Sequence, residues 1–335
     1  MSCPASHLLG MEPILTREAT DHGLTRGVLR GPDFVRPVDG VHVPAAHGND
    51  LATVCRAVAK VLPPDAVFTH LTAALLRRWW LPLLDHVPLI ACTGGDAPHH
   101  ERRGVYVRRC AIPPHHRHRI GDVAVASPAW TIIELAEHLS LVDLVVVIDG
   151  ALQLGDLTID ELRASIVRGR RGVRVLRRAL DLCDGRSESP WETILRLLHV
   201  LSGIAVEPQF LARDRAGAVV ARGDLRIVGS RRLAEYDGAD HRERRQHERD
   251  LRREKALTRA GYERFGYIAR EILTDPARIV RDADDARGVP HDPTRVQPWL
   301  REAAASSLHR GGRAALERRL RRFARPASPR SSGAK

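Results

Sequence analysis

A group of acids between residues 221 and 241 constrains this chain more than any other feature. Asp224 lies in a short apolar segment, and Glu235 and Asp237 follow after a turn, ahead of His241. Side chains alternate faces along a strand, so Glu235 and Asp237 should share a face, and Asp224 can approach them from an adjacent strand. Carboxylates grouped in this way predict a site for a hard divalent cation such as Mg²⁺.

The bulk composition points to a polyanionic partner. The chain has 335 residues, 43% of them hydrophobic, which predicts a globular protein of two or three domains. Its formal net charge is +12 and its pI about 10.4, so a nucleic acid is the default candidate for the partner. All but three of the 53 basic residues are arginine. That bias suits phosphate and guanine recognition, but codon usage in a G+C-rich genome explains its spread along the whole chain.

Cysteine usage and hydropathy indicate a cytoplasmic protein. The five cysteines are odd in number and include no C-x-x-C pair, which argues against a disulfide framework and a zinc knuckle and favours a reducing compartment. The run 141–149 is too short and too acidic for a membrane span. The N-terminus has neither the basic nor the apolar region of an export signal. We therefore expect no membrane partner.

Residues 12–48 predict a small winged helix-turn-helix. Helices are expected over 16–23 and 24–31, with Thr25 as the cap of the second, and two strands should flank an Asp-Gly turn. Arg26 and Arg30 lie four apart on the second helix and are the candidate DNA-binding residues there. The alternative is a compact helical cap with surface arginines. The stretch resembles the N-terminal domain of AbiEi-type antitoxins.

Three further regions complete the expected organisation. Residues 50–183 predict a mixed α/β middle region and helical linker, and the turn-forming residues 183–190 predict a domain boundary. Residues 186–290 follow the order helix, three strands, helix, strand, helix, which is typical of a compact α/β unit. Beyond about residue 305 the chain is strongly basic, and 305–335 is expected to be a disordered tail.

With these elements in order, residues 186–285 resemble the very-short-patch-repair-like endonuclease domain, a branch of the PD-(D/E)XK nuclease superfamily. The resemblance is carried by Ser187-Glu-Ser-Pro-Trp-Glu192, Gln209, Asp224, Glu235-Tyr-Asp237-Gly238, His241, Asp250 and Ala260-Gly261-Tyr262. It implies a restriction-endonuclease-like mixed sheet flanked by helices. The expected fold class of the chain is therefore α/β (α+β).

The same resemblance implies a metal-dependent DNA endonuclease acting in DNA repair or phage defence. Asp224 and Glu235 match the positions of the metal ligands, with Mg²⁺ as cofactor and Mn²⁺ able to substitute. A metal held by carboxylates both stabilises the charged transition state of phosphodiester hydrolysis and lowers the pKa of bound water. Glu192 matches a helix acid that can add a water-mediated ligand, or it closes a capping box with Ser189.

Two positions of the motif need separate explanation. Asp237 stands where the superfamily usually has lysine and cannot supply that residue's positive charge. His241 is a candidate general base or phosphate partner, or it bonds the nearby backbone. The helix after the motif offers a DNA-binding face, although interleaved acids pair with part of it. Its candidate contacts are Arg242, Arg245, Arg249 and Arg252.

A second function remains open from sequence. The chain could be a non-catalytic DNA-binding regulator of the antitoxin type that has kept the nuclease fold as a scaffold. A homodimer, or a toxin or defence-system partner, is compatible with either function. The intact set of acids favours the enzyme.

Overall fold

The computed structural model describes residues 12–85, 87–94, 102–238 and 244–323; in the helix that begins at Arg244, side chains are described from Arg252 onward. The chain has an α+β fold, as expected, and divides into two compact units. The first runs to His138 and includes the chain from Glu317 onward, and the second spans Leu139–Leu316. This division differs from the boundary expected at 183–190.

The N-terminal part of the first unit is a three-stranded antiparallel sheet with one short helix. The strands are β1 (Ile14–Leu15), β2 (Phe34–Val35) and β3 (Val41–Pro44), in the order β1-β3-β2, and the helix is α1 (Arg26–Leu29). The cap at Thr25 is confirmed, because the Val28 N–H donates to its Oγ1 at 3.3 Å. The first expected helix is only a 3₁₀ turn, Thr16–Glu18. Thr, Asp, His and Gly dominate that segment and are weak helix formers.

The rest of the first unit is built on a five-stranded mixed sheet with the order β6-β5-β4-β8-β7. Its strands are β4 (Val67–Phe68), β5 (Leu89–Thr93), β6 (Val105–Arg109), β7 (Arg117–Ile120) and β8 (Val123–Ala126). The helices are α2 (Leu51–Ala59), α3 (His70–Leu76) and α4 (Pro128–Leu135). Ser127 caps α4 through the Trp130 N–H at 3.2 Å, and Pro128 stands at the first helical position, where its missing N–H costs no hydrogen bond.

The second unit begins with helices that the sequence assigned to a linker. They are α5 (Leu141–Gln153), α6 (Ile159–Ala164), α7 (Val173–Leu180) and α8 (Pro190–Leu201). Helix α5 packs against both α7 and α8, so this region belongs to the core of the unit. The turn-forming residues 183–190 are a loop inside the unit, held where the backbone N–H groups of Asp184 and Gly185 donate to the buried Asp149 carboxylate.

Helix α5 is the apolar run that the sequence excluded as a membrane span. It is 13 residues long, and the side chains from Leu141 to Ala151 are buried within the protein. None of the helices in the described ranges combines the length and the apolar character that a bilayer crossing requires.

A four-stranded sheet with the order β12-β11-β10-β9 forms the centre of the second unit. The strands are β9 (Val206–Arg213), β10 (Val219–Ile227), β11 (Arg232–Tyr236) and β12 (Glu263–Tyr267). Strands β9, β10 and β11 are antiparallel neighbours, whereas β11 and β12 are parallel and joined through α9 (Arg244–Arg259). The predicted hairpin, third strand, helix and fourth strand are confirmed. The remaining helices are α10 (Ala269–Thr274), α11 (Pro276–Arg287), α12 (Gln297–Ala305) and α13 (Arg310–Leu320).

Side chains alternate along β11, so the two faces of this sheet carry different residues. Leu233 packs with Leu257 of α9, and Glu235, two residues further on, also contacts α9. Tyr236, which points to the other face, stacks on Trp191 of α8 with ring centroids 5.4 Å apart. Glu235 therefore lies on the side of the arginine-rich helix.

The basic tail is ordered over more of its length than expected. The sequence predicts disorder for 305–335, but α13 is followed by a 3₁₀ turn, Arg321–Phe323. Leu316, Leu320 and Phe323 are buried. They repeat at a helical spacing, but the many basic residues between them made the segment read as disordered. Residues 324–335 lie outside the described part of the chain.

A buried histidine in α8 should make folding sensitive to acid. His199 is 1% exposed, and burial lowers its pKa to about 4, while its bond to the Leu195 carbonyl opposes the shift. The unfolded chain takes up a proton near pH 6.5 and the folded chain does not, so stability falls as the pH drops from about 6.5 to about 4. We expect a loss of about 3 kcal/mol in the free energy of unfolding.

Urea denaturation across that pH range measures this loss. The variant His199→Leu has a similar volume and no titrating group, so its stability should change less over the same range. Equal acid sensitivity of the wild type and this variant would contradict the assignment.

Candidate active site

The structure brings together the acids that the sequence singled out. Asp224 lies near the end of β10, and its Oδ2 accepts the backbone N–H of Tyr236, at the end of β11, at 2.9 Å. That bond fixes the Asp224 carboxylate beside the segment that carries Glu235 and Asp237. The adjacent strands expected from the spacing of the motif thus position these side chains.

Asp224 is the electrostatically crowded member of the group. Its pKa is raised to about 7, first by burial and then by the nearby carboxylates of Glu192 and Glu235, while the Tyr236 N–H opposes the shift. A carboxylate in this setting gains from a cation that offsets the repulsion. Perturbed acids of this kind are common at functional sites.

Glu192 has a structural contact and also faces the acids. The Glu192 N–H donates to Ser189 Oγ at 3.2 Å at the start of α8. Its side-chain Oε2 does not return to Ser189 but accepts the Glu188 N–H at 2.8 Å and the Gln209 side-chain amide at 2.9 Å. The helix acid is therefore oriented by the loop before it and by β9, and its charge still acts on Asp224.

Glu235 is held by two arginines. The carboxylate is 3% exposed. Arg253 of α9 makes a bidentate pair with it, at 3.0 Å to Oε2 and 2.5 Å to Oε1, and Arg264 Nε of β12 donates to Oε2 at 2.5 Å. Charge-assisted pairs of this kind fix a carboxylate in one orientation.

Arg264 also contacts Asp237. Its Nη2 donates to Asp237 Oδ1, so one guanidinium bridges Glu235 of β11 and Asp237, which directly follows that strand. A side chain at Gly266 of β12 would clash with the Asp237 carboxylate. At Gly223 an added Cβ would lie 3.0 Å from Leu233 Cδ1 and 3.4 Å from Glu235 Oε1, so the glycine leaves room for the acid.

Arg253, Arg264 and Gly266 were not identified from the sequence. The signal for Arg264 is its place in a short strand that pairs in register with β11, opposite Leu233. Finding it requires the strand order, because β12 follows β11 only after a 16-residue helix. Arg253 was hidden among many similar residues in α9.

The other predicted site residues fall in different places. Arg252 is on α9 and exposed. Arg245 and Arg249 are on the same helix, but their side chains are not among those described, and His241 and Arg242 lie outside the described residues. Their predicted roles therefore stay predictions.

Arg26 and Arg30 belong to the first unit, where they line an open pocket of about 160 Å³. The pocket is completed by Thr16, Leu29, Arg36 and His42. His42 Nε2 bonds Thr16 Oγ1 at 3.1 Å, and its pKa is lowered by burial and then by Arg36. Three guanidinium groups around one pocket are suited to an anion such as a phosphate.

The acid group fits a divalent metal in part. Its donors are carboxylate oxygens, the preferred ligands of Mg²⁺, and the crowding at Asp224 is what a cation relieves. Glu235, however, would have to share its oxygens with two arginines. Within the described ranges, the set of three ligand-type side chains whose donor atoms lie within 4.8 Å of one another is in the first unit and does not include these acids. An ion would therefore have to draw the acids closer together.

The chain is similar in sequence to curated proteins that are described as uncharacterized. It is 28% identical over 176 residues to two proteins of Mycobacterium tuberculosis, both described as uncharacterized: MT2308 of strain CDC 1551 / Oshkosh and Rv2248 of strain ATCC 25618 / H37Rv. The match covers 50% of this chain and 65% of each relative, so the chain spans less than two thirds of their length. No family model and no solved structure matches the chain.

Proposed function

We propose that the second unit is a Mg²⁺-dependent DNA endonuclease related to the very-short-patch-repair-like branch of the PD-(D/E)XK superfamily. The observation that carries the proposal is that Asp224, on an inner strand of a mixed sheet, is crowded by Glu192 and by Glu235 of the other inner strand. Because the pKa of the buried Asp224 carboxyl is raised to about 7, its surroundings favour the addition of a positive charge.

The chain's own residues have distinct parts in this proposal. Asp224, Glu235 and Glu192 would hold the ion, which supplies charge stabilisation and an acidified water when bound. Arg253 and Arg264 hold Glu235 in one orientation, and Arg264 supplies the positive charge that Asp237 cannot. The exposed Arg252 is on the same helix as Arg253 and would attract a phosphate backbone toward the acids.

Cleavage of plasmid DNA tests this function. The purified full-length chain should convert supercoiled DNA to nicked or linear forms with Mg²⁺ or Mn²⁺ and not with EDTA. Unchanged plasmid under all divalent conditions, with DNA binding retained, would contradict it.

The first unit supports DNA binding independently of cleavage. The exposed side chains of Arg26 and Arg30 share a pocket with Arg36, and each can neutralise a phosphate. Replacing Arg30 by Gln should weaken duplex binding and reduce the slope of log affinity against log salt by about 0.9 for each phosphate that the variant no longer neutralises.

Fluorescence anisotropy over a salt series measures both quantities. Arg17→Gln is the matched control, because this arginine is 75% exposed in the same segment and does not line the pocket. An equal decrease in affinity for the control, or an unchanged slope in Arg30→Gln, would exclude the pocket as a phosphate site.

A second candidate function has its own observation. Glu235 and Asp237 are already neutralised by Arg253 and Arg264, so this part of the sheet is charge-balanced without a metal. Such balance favours a non-catalytic DNA-binding regulator of the antitoxin type. The regulator would show no rise in melting temperature with Mg²⁺, whereas a ligand of the folded state raises it.

The cellular setting belongs to the same proposal. A cytoplasmic location is part of the proposal and rests on the odd number of cysteines and the lack of a C-x-x-C pair in the sequence. A role in DNA repair or phage defence, with a homodimer or a defence-system partner, follows from the family resemblance alone.

A further inference from the structure

A second group of ligand-type side chains lies in the first unit, apart from the acids of the nuclease-like sheet. Cys92 comes from β5, Cys110 directly follows β6, and Glu134 lies on α4. Their donor atoms, two sulfurs and a carboxylate oxygen, all lie within 4.8 Å of one another. Three separate elements of one unit thus converge on a single point.

The backbone arrangement explains why the two thiols meet. Strands β5 and β6 are parallel neighbours with Cys92 opposite Arg108, and the Cys110 N–H continues the ladder by donating to the Thr93 carbonyl at 3.0 Å. The Cys92 thiol donates to Glu134 Oε1 at 3.9 Å. No local pattern indicates this pair, because 17 positions separate the cysteines and no C-x-x-C spacing exists.

Glu134 is an ionisable residue that is buried in the core of the first unit. Its side chain is fully buried on α4, whose other residues are apolar apart from Thr131. Arg108 Nη1 donates to its Oε1 at 3.0 Å, and Thr69 Oγ1 donates to Oε2. Burying an ion pair costs desolvation energy that packing alone would avoid, so its presence beside two thiols calls for a further role.

We propose that Cys92, Cys110 and Glu134 bind one zinc ion. Thiolate sulfur together with a carboxylate is a donor set that selects Zn²⁺ over Mg²⁺. Two thiolates in a tetrahedral zinc site lie roughly 3.8 Å apart, given a Zn–S distance of about 2.3 Å. The two sulfurs lie within 4.8 Å of each other, which is compatible with that separation.

The charges of the pocket also balance with zinc present. Glu134 and Arg108 already neutralise each other. Two thiolates carry the charge that one divalent ion cancels, so the filled site adds no net charge to a buried region. Cys92 is buried and Cys110 only half-buried, which leaves an approach on the Cys110 side for a water as the fourth ligand.

Cobalt substitution in the full-length chain tests the site. The protein is purified in reductant, stripped with chelator and titrated with Co²⁺, which reports thiolate ligation through a charge-transfer absorption in the near ultraviolet. We expect one Co²⁺ per chain to give this band and one Zn²⁺ to displace it. Cys110→Ser should lower the affinity by more than the 10- to 100-fold typical of losing an outer-shell partner.

Cys183→Ser is the matched control, because this half-buried thiol lies in the second unit and bonds the Leu180 carbonyl. It should bind Co²⁺ as the wild type does. If Cys110→Ser does not fold, wild-type protein answers the question by mass spectrometry, since Zn²⁺ should shield Cys92 and Cys110 from alkylation and leave Cys183 unchanged.

Three results would overturn the proposal. They are the absence of a thiolate band at equimolar Co²⁺, unchanged binding in Cys110→Ser, and alkylation of the two cysteines that Zn²⁺ does not slow. None of them depends on DNA cleavage, so failure here is distinct from failure of the proposed nuclease.

Discussion

Asp224→Asn is expected to abolish Mg²⁺-dependent DNA cleavage while leaving the fold intact. The substitution keeps the size of the side chain and an oxygen that can accept the Tyr236 N–H. It removes the negative charge that the proposed ion needs, and loss of one electrostatic partner of a transition state typically costs about 10²- to 10³-fold in rate. Single-turnover cleavage of supercoiled DNA measures the effect.

Stability separates this effect from unfolding. Because Asp224 is repelled by Glu192 and Glu235, the Asn variant should melt at the same or a higher temperature than the wild type at pH 8 without metal. Added Mg²⁺ should raise the melting temperature of the wild type and not that of the variant. Glu207→Gln is the control, since this acid of β9 pairs with Arg226 and is not one of the proposed ligands. Cleavage by Asp224→Asn at the wild-type rate would refute the assignment.

Asp149→Ala should cause the largest loss of stability in the second unit. The Asp149 carboxylate is fully buried. It accepts bonds from Arg196 Nη2 at 2.8 Å and Thr193 Oγ1 at 2.9 Å, and from the backbone N–H groups of Asp184 and Gly185 at 2.8 and 3.2 Å. Alanine leaves the guanidinium of Arg196, itself 4% exposed, without its counter-charge. Breaking a buried pair in this way costs about 3–5 kcal/mol.

Urea unfolding of the second unit, followed by circular dichroism, measures this loss. Asp160→Ala is the control, because that acid is 94% exposed and forms only a surface pair with Arg163 at 3.4 Å. Surface pairs contribute about 0–1 kcal/mol, so the control should stay close to the wild type. A loss below about 1 kcal/mol in Asp149→Ala would show that the buried pair with Arg196 contributes no more than a surface pair does.

Local rules predicted the elements of the second unit better than its arrangement. Strand alternation and the cap at Ser189 predicted β9 to β12 and the start of α8, because these signals lie within a few residues. The role of Arg264 depends on the parallel pairing of β11 with β12 across a helix, which no local pattern specifies. The convergence of Cys92, Cys110 and Glu134 was invisible for the same reason.

Two predictions that rested on local composition alone were wrong. The turn-forming residues after Cys183 suggested a boundary, yet Asp149, more than 30 positions earlier, binds that loop into the unit. The basic character beyond residue 305 suggested disorder, although buried Leu316, Leu320 and Phe323 follow a helical spacing. In both places a few buried contacts outweigh the average polarity of the segment.

The path of the chain affects the order in which the protein can be completed during synthesis. The first unit ends at His138 but takes its last pieces from residues after Glu317. Phe323 packs against His70 and Tyr106, with ring centroids 5.1 and 5.0 Å away, and Arg322 bonds His138. Domains usually fold from the N-terminus as they leave the ribosome. Here the N-terminal unit needs residues 317–323, which follow the second unit in the chain, so the second unit can be complete first.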